Sequence, residues 1–371
     1  MHRTELVADR LALPDSVVVQ GLVKCAGGRI AEIRTATREP SLRGVLLPGF
    51  VDLQVNGAGG RGVEELSDDA LECAARTVFA GGAVAFLPTL ITAPWKDILR
   101  QIEAVADWCA RFDPGTDAAA PLGIHVEGPF LTSPGVHDAA CFVDPTPERI
   151  EQMIRAGRGK LRMVTLSSSR KGAPEAVAQL LANGVTPSIG HVAEVDGFDA
   201  CVRAGARLVT HLFNAMGAMH HREHGVAGLA LDHESVSCPL ILDGAHLHPV
   251  TVRNAYRILG PERTVLVTDS VSAAGMPDGD YVLGGERIRL RGNFVRDEHG
   301  VIAGSALTMG KAARSFLDFV PWADAWALAK VASSNPCRAI GEEDRGAIAV
   351  GKLAEFTLLG EDGTCRALRV R

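Results

Sequence analysis

The chain alternates short apolar runs with longer stretches in which apolar residues recur every three or four positions. A short apolar run predicts a buried strand, and a period near 3.6 residues predicts a helix with one buried face. Their alternation is typical of βα units on a parallel sheet. The runs that qualify as strands are 50–55, 83–89, 122–127, 162–166, 186–191, 207–211, 238–243 and 264–269.

The amphipathic stretches between these runs predict the connecting helices. Gly184 and Gly205 stand where two of those helices should end. Eight strand–helix units fit a closed (β/α)8 barrel of the TIM type, which needs about 250 residues. A doubly wound open sheet is the alternative, since it also collects residues at strand ends, but eight units favour the barrel. We predict an α/β fold with the barrel at 48–344 and helices at 68–80, 95–112, 147–157, 174–183 and 195–204.

The two ends of the chain have a different pattern. Residues 1–47 and 345–371 contain short β-like runs separated by turns at 26–28 and 361–363. Neither end has enough apolar residues to form a core alone. We predict that the two ends pair into one small β-sandwich-like domain beside the barrel.

Composition and charge narrow the functional class. The 371 residues include 38 Lys and Arg against 44 Asp and Glu, giving a formal net charge of −6 with no long basic run. The electrostatic footprint of a nucleic-acid-binding protein is therefore missing. The N-terminus has no apolar signal core, and no apolar stretch reaches about 18 residues. We expect a cytoplasmic protein without a nucleic-acid or membrane partner.

Several of the apolar runs close with an ionisable residue. Glu127, His191, His211 and Asp269 end four separate runs. In a parallel barrel all strand C-termini share one face, so these side chains should converge. Two imidazoles and a carboxylate form a ligand set that catalytic zinc uses while one position stays open. A lone strand-end His is more often structural, but three candidate ligands on separate strands weaken that explanation.

Asp269 and the first strand refine this expectation. Asp269 could cap the following helix, or it could be a general base that passes a proton from water to the leaving group. Gln54 and Asn56 point to one face of the first strand, and amides are poorer zinc ligands than imidazole. No Lys ends the fourth strand to bridge two metals. We predict one divalent ion per subunit, with Zn²⁺ fitting best and Fe²⁺, Co²⁺ or Mn²⁺ chemically compatible.

These residues lie within longer motifs that occur in order along nearly the whole chain. The motifs occupy 48–57, 125–130 (His-Val-Glu-Gly-Pro-Phe), 190–191, 210–216 (Thr-His-Leu-Phe-Asn-Ala-Met), 243–246, 267–269 and 304–309. Together they resemble the amidohydrolase superfamily and, within it, the N-acetylglucosamine-6-phosphate deacetylase branch. The superfamily usually carries His-x-His where this chain has Gln54 and Asn56. Some deacetylases of the branch share that change and use one metal.

The resemblance implies an enzyme that hydrolyses the N-acetyl group of N-acetyl-D-glucosamine 6-phosphate, in amino-sugar catabolism. It implies Glu127, His191 and His211 as metal ligands, with Asp269 as acid and base. It also implies that His137 contacts the acetyl carbonyl. In this family the counterparts of Arg222 and His246 tend to come from a neighbouring subunit, which implies a homodimer. The expected substrate contacts are Gln54, Asn56, Asn214, Ala215, Arg222, His246 and Leu307.

The phosphate contact also has a physical basis. Residues 214–216 directly follow the sixth strand run, where a helix N-terminus would present N–H groups to an anion. A guanidinium such as that of Arg222 would add bidentate pairing. On local sequence alone, Arg222 fits a solvated surface position, His137 fits a loop and Asn214 fits a helix cap.

Other functions fit the same residues. The galactosamine epimer of the substrate differs by one hydroxyl contact, which the sequence does not distinguish. A cyclic-amide hydrolase or deaminase of the superfamily would lack the turn at 214–216. A non-catalytic sugar-phosphate-binding barrel is the third alternative, and the complete set of ligands and base argues against it.

Overall fold

The structure, a computed structural model, describes residues 3–371. We number its strands in chain order. They are β1 (Arg3–Ala12), β2 (Val17–Ala26), β3 (Arg29–Thr35), β4 (Leu42–Pro48), β5 (Phe50–Val55), β6 (Gly57–Ala58), β7 (Arg61–Gly62), β8 (Ala83–Ile91), β9 (Ala120–Pro121), β10 (Ile124–Glu127), β11 (Leu161–Leu166), β12 (Thr186–Ile189), β13 (Leu208–Val209), β14 (Cys238–Ile241), β15 (Thr264–Val267), β16 (Gly279–Leu283), β17 (Glu286–Arg291), β18 (Phe294–Asp297), β19 (Glu355–Leu359) and β20 (Cys365–Arg369).

The helices begin at the caps that their sequences provide. The Ser67 and Thr146 side chains accept hydrogen bonds from the first turns of the first and third helices. None of the helices in residues 3–371 is long and apolar enough to cross a membrane. The helices are α1 (Asp68–Ala80), α2 (Trp95–Arg111), α3 (Pro147–Gly157), α4 (Ala173–Ala182), α5 (Phe198–Arg203), α6 (Gly225–Asp232), α7 (Pro249–Arg263), α8 (Met309–Phe319), α9 (Ala325–Ala329) and α10 (Asn335–Ala339).

The eight strands expected of a barrel are present and parallel. Six of them form one curled sheet in the order β13-β12-β11-β10-β8-β5, and β14 pairs with β15. Single backbone bridges, Leu208 to Ser237 and Val55 to Ser270, join these two sheets and close the barrel. The predicted (β/α)8 fold is therefore confirmed, with a core of apolar side chains between the strands and the surrounding helices.

The barrel strands are shorter than their apolar runs suggest. Strands β12, β13 and β15 end before His191, His211 and Asp269 are reached. Those three residues have positive φ angles of 50°, 32° and 50°, a left-handed conformation that residues other than Gly rarely adopt. The backbone therefore turns sharply where the ionisable side chains are placed.

The two ends of the chain meet in one six-stranded sheet in the order β20-β19-β4-β1-β2-β3. Buried side chains such as Leu11, Val23 and Phe356 form its own core. The sheet contacts the N-terminal end of the barrel, where the Thr357 hydroxyl accepts from the Phe50 amide at 3.0 Å and donates to the Gly82 carbonyl. The exact domain limits of 1–47, 48–344 and 345–371 stay a prediction.

A three-stranded antiparallel sheet, β16-β17-β18, follows β15 before α8 begins. Its inward side chains, including Leu283, Ile288 and Val295, pack on Val271 and Ala303 at the C-terminal end of the barrel. The sequence interpretation missed this sheet, because exposed arginines interrupt its apolar positions and keep each run short. It places additional apolar side chains beside the mouth of the barrel.

Candidate active site and metal centre

The residues predicted for the site meet in one cavity at the C-terminal ends of the barrel strands. The cavity has a volume of about 280 Å³. Converging side chains at this face are the expected location of a barrel active site. The predicted residues that line it are Asn56, Glu127, His137, His191, His211, Asn214, Ala215, His246 and Asp269.

Glu127, His191 and His211 bring three ligand atoms close together. The Glu127 Oε1 lies 3.0 Å from His211 Nε2 and 3.3 Å from His191 Nε2, and the two Nε2 atoms are 3.2 Å apart. Ligands about 2.1 Å from a tetrahedral zinc ion would be about 3.4 Å from one another. These residues therefore fit one small divalent cation.

The tautomer of His191 suits a ligand role. Its Nδ1 lies 2.9 Å from the Ser133 carbonyl oxygen, to which only an N–H can donate. The neutral ring therefore has its lone pair on Nε2, directed toward Glu127. The Nδ1 of His211 is buried and has no hydrogen-bond partner in the structure, so nothing there fixes its tautomer.

His137 offers an alternative third ligand, since a nitrogen of its ring also lies within metal-sharing distance of Glu127 and His191. Its Nε2 is 3.7 Å from Glu127 Oε2. Its Nδ1, however, lies 3.3 Å from the Thr92 backbone amide, which can only donate, and 3.0 Å from the Thr92 hydroxyl, which can donate as well. The proton of the neutral ring is therefore on Nε2, which makes His137 a hydrogen-bond donor toward the cavity. Burial lowers the pKa of His137 to about 3, so the ring is neutral.

The charges of the cluster depend on one another. Burial alone would raise the pKa of Glu127, but the contacts of its carboxylate with the imidazoles of His191 and His211 hold it well below the usual value. Burial would lower the pKa of His211, yet its contact with Glu127 raises it. Glu127 is therefore a carboxylate at neutral pH. It has no Lys or Arg within ion-pair distance among the described residues.

Asp269 lines the same cavity, but its surroundings differ from those of Glu127. Burial, followed by the nearby charge of Glu127, raises the pKa of Asp269 to about 6. Its Oδ1 accepts a hydrogen bond from Asn56 Nδ2 at 2.8 Å. A carboxyl group with a pKa near neutrality can both accept and release a proton during a reaction.

Gln54 and Asn56 use their amides on these two carboxylates. Gln54 Nε2 donates to Glu127 Oε1 at 2.9 Å, and Asn56 donates to Asp269. Asn56 lines the cavity, whereas Gln54 does not. The structure thus places both residues where they orient acidic side chains, a role that the sequence interpretation did not assign to them.

The backbone after β13 differs from the expectation. No helix begins at Asn214, because α6 starts only at Gly225. Instead, φ is positive at His211, Phe213 and Ala215 but not at the residues between them. Within this turn the amides of Leu212 and Asn214 donate to the carbonyls of Pro239 and His211, so they do not point together at one anion. Asn214 and Ala215 do line the cavity, and their contact with a phosphate stays a prediction.

The remaining predicted contacts are distributed differently. His246 lines the cavity of its own chain, which corrects the expectation that it reaches a neighbouring site; its Nδ1 is held by Asp243 Oδ2 at 2.6 Å. Arg222 is exposed and does not line the cavity. Leu307 lines a separate cavity of about 400 Å³ that it shares with Asp243.

An apolar wall completes the cavity, and the sequence interpretation missed it. Val271 and Leu283 belong to the cluster beneath β16–β18, and Ile91 and Val136 pack against that cluster. Val136 directly precedes His137, and Val271 lies two residues after Asp269. The alternating pattern at 279–297 could have indicated the sheet, but its contact with the barrel depends on the three-dimensional fold.

A closed parallel barrel with a buried Glu, His and Asp cluster at its strand ends defines a hydrolase of the amidohydrolase class. No family model matches the chain. It is 31% identical to an N-acetylglucosamine-6-phosphate deacetylase of Bacillus subtilis (strain 168), over 98% of this chain and 94% of the relative. It is 32% identical to an N-acetylgalactosamine-6-phosphate deacetylase of Escherichia coli O157:H7, over 95% and 94%.

A solved structure supports the same relationship. It is an aspartate-to-alanine mutant of N-acetyl-D-glucosamine-6-phosphate deacetylase from Mycobacterium smegmatis, in complex with N-acetyl-D-glucosamine-6-phosphate. The two chains share 32% identity and superpose with a TM-score of 0.92, over 98% of this chain and 97% of the other. The chain belongs to the N-acetylglucosamine-6-phosphate deacetylase family.

Proposed function

We propose that this enzyme hydrolyses the N-acetyl group of N-acetyl-D-glucosamine 6-phosphate to give acetate and glucosamine 6-phosphate. The observation that carries the proposal is the cavity in which Asp269 faces the cluster of Glu127, His191 and His211. Membership of the deacetylase family supplies the substrate. We further propose that the enzyme acts in the cytoplasm, in the catabolism of amino sugars.

One divalent cation, most suitably Zn²⁺, would be held by Glu127 Oε1 and by the Nε2 atoms of His191 and His211. The separations of 3.0–3.3 Å between these atoms support that set, and the Nε2 proton of His137 argues against His137 as a ligand. When bound, the cation acts as a Lewis acid on the amide carbonyl and favours ionisation of water.

The side chains around this centre carry the proton and the developing charge. His137 Nε2–H donates a hydrogen bond to the acyl oxygen as negative charge builds on it. Asp269 accepts a proton from the attacking water and then gives a proton to the amine as the C–N bond breaks. Asn56 holds the Asp269 carboxylate in place through its Nδ2–H. Water and amide are thereby converted to acetate and amine without a further reactant.

The sugar phosphate would lie across the other side of the cavity. Asn214 and Ala215, which line the cavity, would contact the phosphate, and His246, fixed by Asp243, would contact a sugar hydroxyl. Arg222 is exposed on its own chain, so we propose that it reaches the phosphate of a second subunit in a homodimer. The guanidinium of an Arg can form two parallel hydrogen bonds to a phosphate.

The test is acetate release from N-acetylglucosamine 6-phosphate, with and without a chelator, compared with unphosphorylated N-acetylglucosamine. We expect turnover of the phosphorylated sugar that is lost with chelator and restored by added Zn²⁺. Equal activity on the two sugars would contradict the proposed phosphate site. An absence of acetate release despite bound metal would favour a non-catalytic binding barrel.

The galactosamine epimer is the second candidate substrate, because a relative that acts on it is 32% identical to this chain. We expect a higher kcat/KM for the glucosamine compound. The reverse preference in a direct competition assay would reassign the substrate while leaving the chemistry unchanged.

A further inference from the structure

Asp52 is a buried carboxylate with no place in the reaction described above. Only 2% of its surface is exposed, and burial raises the pKa of Asp52 to about 7. Within residues 3–371 no cationic side chain pairs with it. Burying a carboxylate without a cation is costly unless hydrogen bonds compensate, so its donors should reveal what it does.

Three donors reach Asp52, and they come from two strands. Thr268 contributes its hydroxyl at 2.6 Å to Oδ2 and its backbone amide at 3.2 Å to Oδ1. The Gln54 amide approaches Oδ1 at 3.4 Å. Asp52 and Gln54 belong to β5, and Thr268 directly follows β15. The carboxylate therefore joins the first barrel strand to the last.

This joint lies where the barrel has little backbone pairing. Between β5 and the end of β15 the structure has a single bridge, Val55 to Ser270, together with the amides of Asn56 and Gly57, which both donate to the Ser270 carbonyl. The side chain of Asp52 thus accepts the Thr268 amide that a regular ladder would direct to a backbone carbonyl.

Asp269 is the residue between the two contacts. Thr268 precedes it and is bonded to Asp52, and Ser270 follows it and is bonded to Asn56. Its own φ of 50° is unfavourable for a non-Gly residue and persists only when the surroundings determine it. Asn56, which directly follows β5, holds the Asp269 carboxylate through its Nδ2.

We infer that Asp52 is a positioning residue for Asp269: by fixing Thr268 to β5, it keeps the proton-carrying carboxylate on Asn56 and directed into the cavity. The inference rests on the proposed deacetylase function and deepens it. Asp52 touches neither the substrate nor the reacting atoms, so it acts only through the backbone that precedes Asp269.

The direct test is Asp52→Asn, a substitution of nearly equal size. A displacement of about 1 Å at a reacting group can cost about 100-fold in rate, so we expect kcat to fall about 10- to 100-fold. Neither the cation ligands nor the phosphate contacts involve Asp52. We therefore expect KM and the metal content per chain to match those of the wild type.

A pair of variants keeps the test valid if Asp52→Asn does not fold. Thr268→Val keeps the side-chain shape but removes the hydroxyl, which donates to Asp52 and the Gln54 carbonyl and accepts from the Ser270 amide, whereas Thr268→Ser keeps it. We expect kcat to fall at least about 10-fold in the valine variant and to recover most of that loss in the serine variant. Because kcat is compared at equal folded fraction, a loss of stability alone would not produce this difference between the two variants.

Thr357→Val provides the matched control. Thr357 is fully buried. It bonds to Phe50, at the N-terminal end of β5, and to Gly82, just before β8, so its contacts lie at the end of the barrel opposite to Asp269. We expect a lower Tm with an unchanged kcat, because its contacts are remote from Asp269.

Two results would overturn the inference. One is a kcat within about 2-fold of wild type in Asp52→Asn or Thr268→Val, with only Tm lowered; such a change is below 1 kcal/mol in the barrier. The other is loss of bound metal in these variants, which would mean that Asp52 acts through Gln54 and Glu127. Failure of the proposed function is a separate result, since the wild type itself would then release no acetate.

Discussion

Two buried glutamates, at opposite ends of the barrel, have opposite surroundings. Glu355, where the six-stranded sheet meets the barrel, accepts from Arg345 Nε and Arg369 Nε, each at 2.6 Å. Glu127, in the cavity, is surrounded by Gln54, His191 and His211. Both side chains are less than 10% exposed. Burial alone therefore does not distinguish them.

The difference lies in what supplies the positive charge. Guanidinium groups are permanently charged and match a carboxylate with two parallel hydrogen bonds, so the Glu355 site is complete within the protein. Imidazoles and an amide supply no permanent cation, so the charge of Glu127 is left open to an added one. The comparison indicates that one end of the barrel is built for stability and that the other can hold a metal ion.

The largest expected effect is the loss of catalytic activity when each glutamate is replaced in turn. Glu127→Gln replaces an anionic ligand with a neutral amide, and a catalytic cation contributes several kcal/mol to charge stabilisation. We expect kcat/KM for acetate release to fall at least about 1,000-fold, about 4 kcal/mol, with metal lost from the purified protein. Glu355→Gln is the control, and its turnover per folded chain should stay near wild type. Equal losses of kcat/KM in the two variants would contradict the different roles assigned to Glu127 and Glu355.

The second test reverses the roles and measures stability. Glu355→Gln leaves Arg345 and Arg369 buried without their shared anion. Removing one partner of a buried ion pair costs about 3–5 kcal/mol, and we expect a loss of that size in the free energy of unfolding by urea. In metal-free protein, Glu127→Gln should cost much less. An unchanged urea midpoint for Glu355→Gln would contradict the assignment.

The third test adds the cation itself. A ligand that binds only the folded state stabilises it by about 2.7 kcal/mol at 100 times its Kd. We expect Zn²⁺ to raise the Tm of metal-free wild type accordingly, and to raise that of Glu355→Gln by a similar increment. Glu127→Gln should show no increment at the same Zn²⁺ concentration. A full increment in that variant would exclude Glu127 as a ligand.

The smallest effect concerns Gln54, which touches Glu127 but not the cavity. Residues that orient metal ligands typically contribute about 10- to 100-fold to metal affinity. We expect Gln54→Ala to weaken Zn²⁺ binding about 10-fold in competition with a chelator of known affinity. Unchanged affinity would show that the amide serves only to satisfy a buried carboxylate.

Much of the fold was predictable because barrel strands are buried on both faces and therefore appear as apolar runs. Those runs end near Glu127, His191, His211 and Asp269, and strand ends of a barrel share one face. The convergence of these residues follows from that topology without knowledge of any distance. Their individual roles stay predictions until the variants are measured.

The rest depended on contacts between distant parts of the chain. The pairing of Gln54 with Glu127 spans 73 residues and that of Asn56 with Asp269 spans 213, and no local pattern specifies either. The orientation of His246 into its own cavity is set by Asp243 through hydrogen bonds that spacing alone does not predict. Local φ angles likewise decided that a turn, and not a helix, follows His211.

The left-handed backbone at His191, His211 and Asp269 has an evolutionary consequence. Each such non-Gly residue costs of order 1–3 kcal/mol, so the wild-type residues are not the most stable choices at these positions. Selection for thermostability alone would favour glycine or asparagine there, at the expense of the chemistry. Laboratory stabilisation of this enzyme should therefore hold these three positions fixed and draw its gains from the opposite end of the barrel.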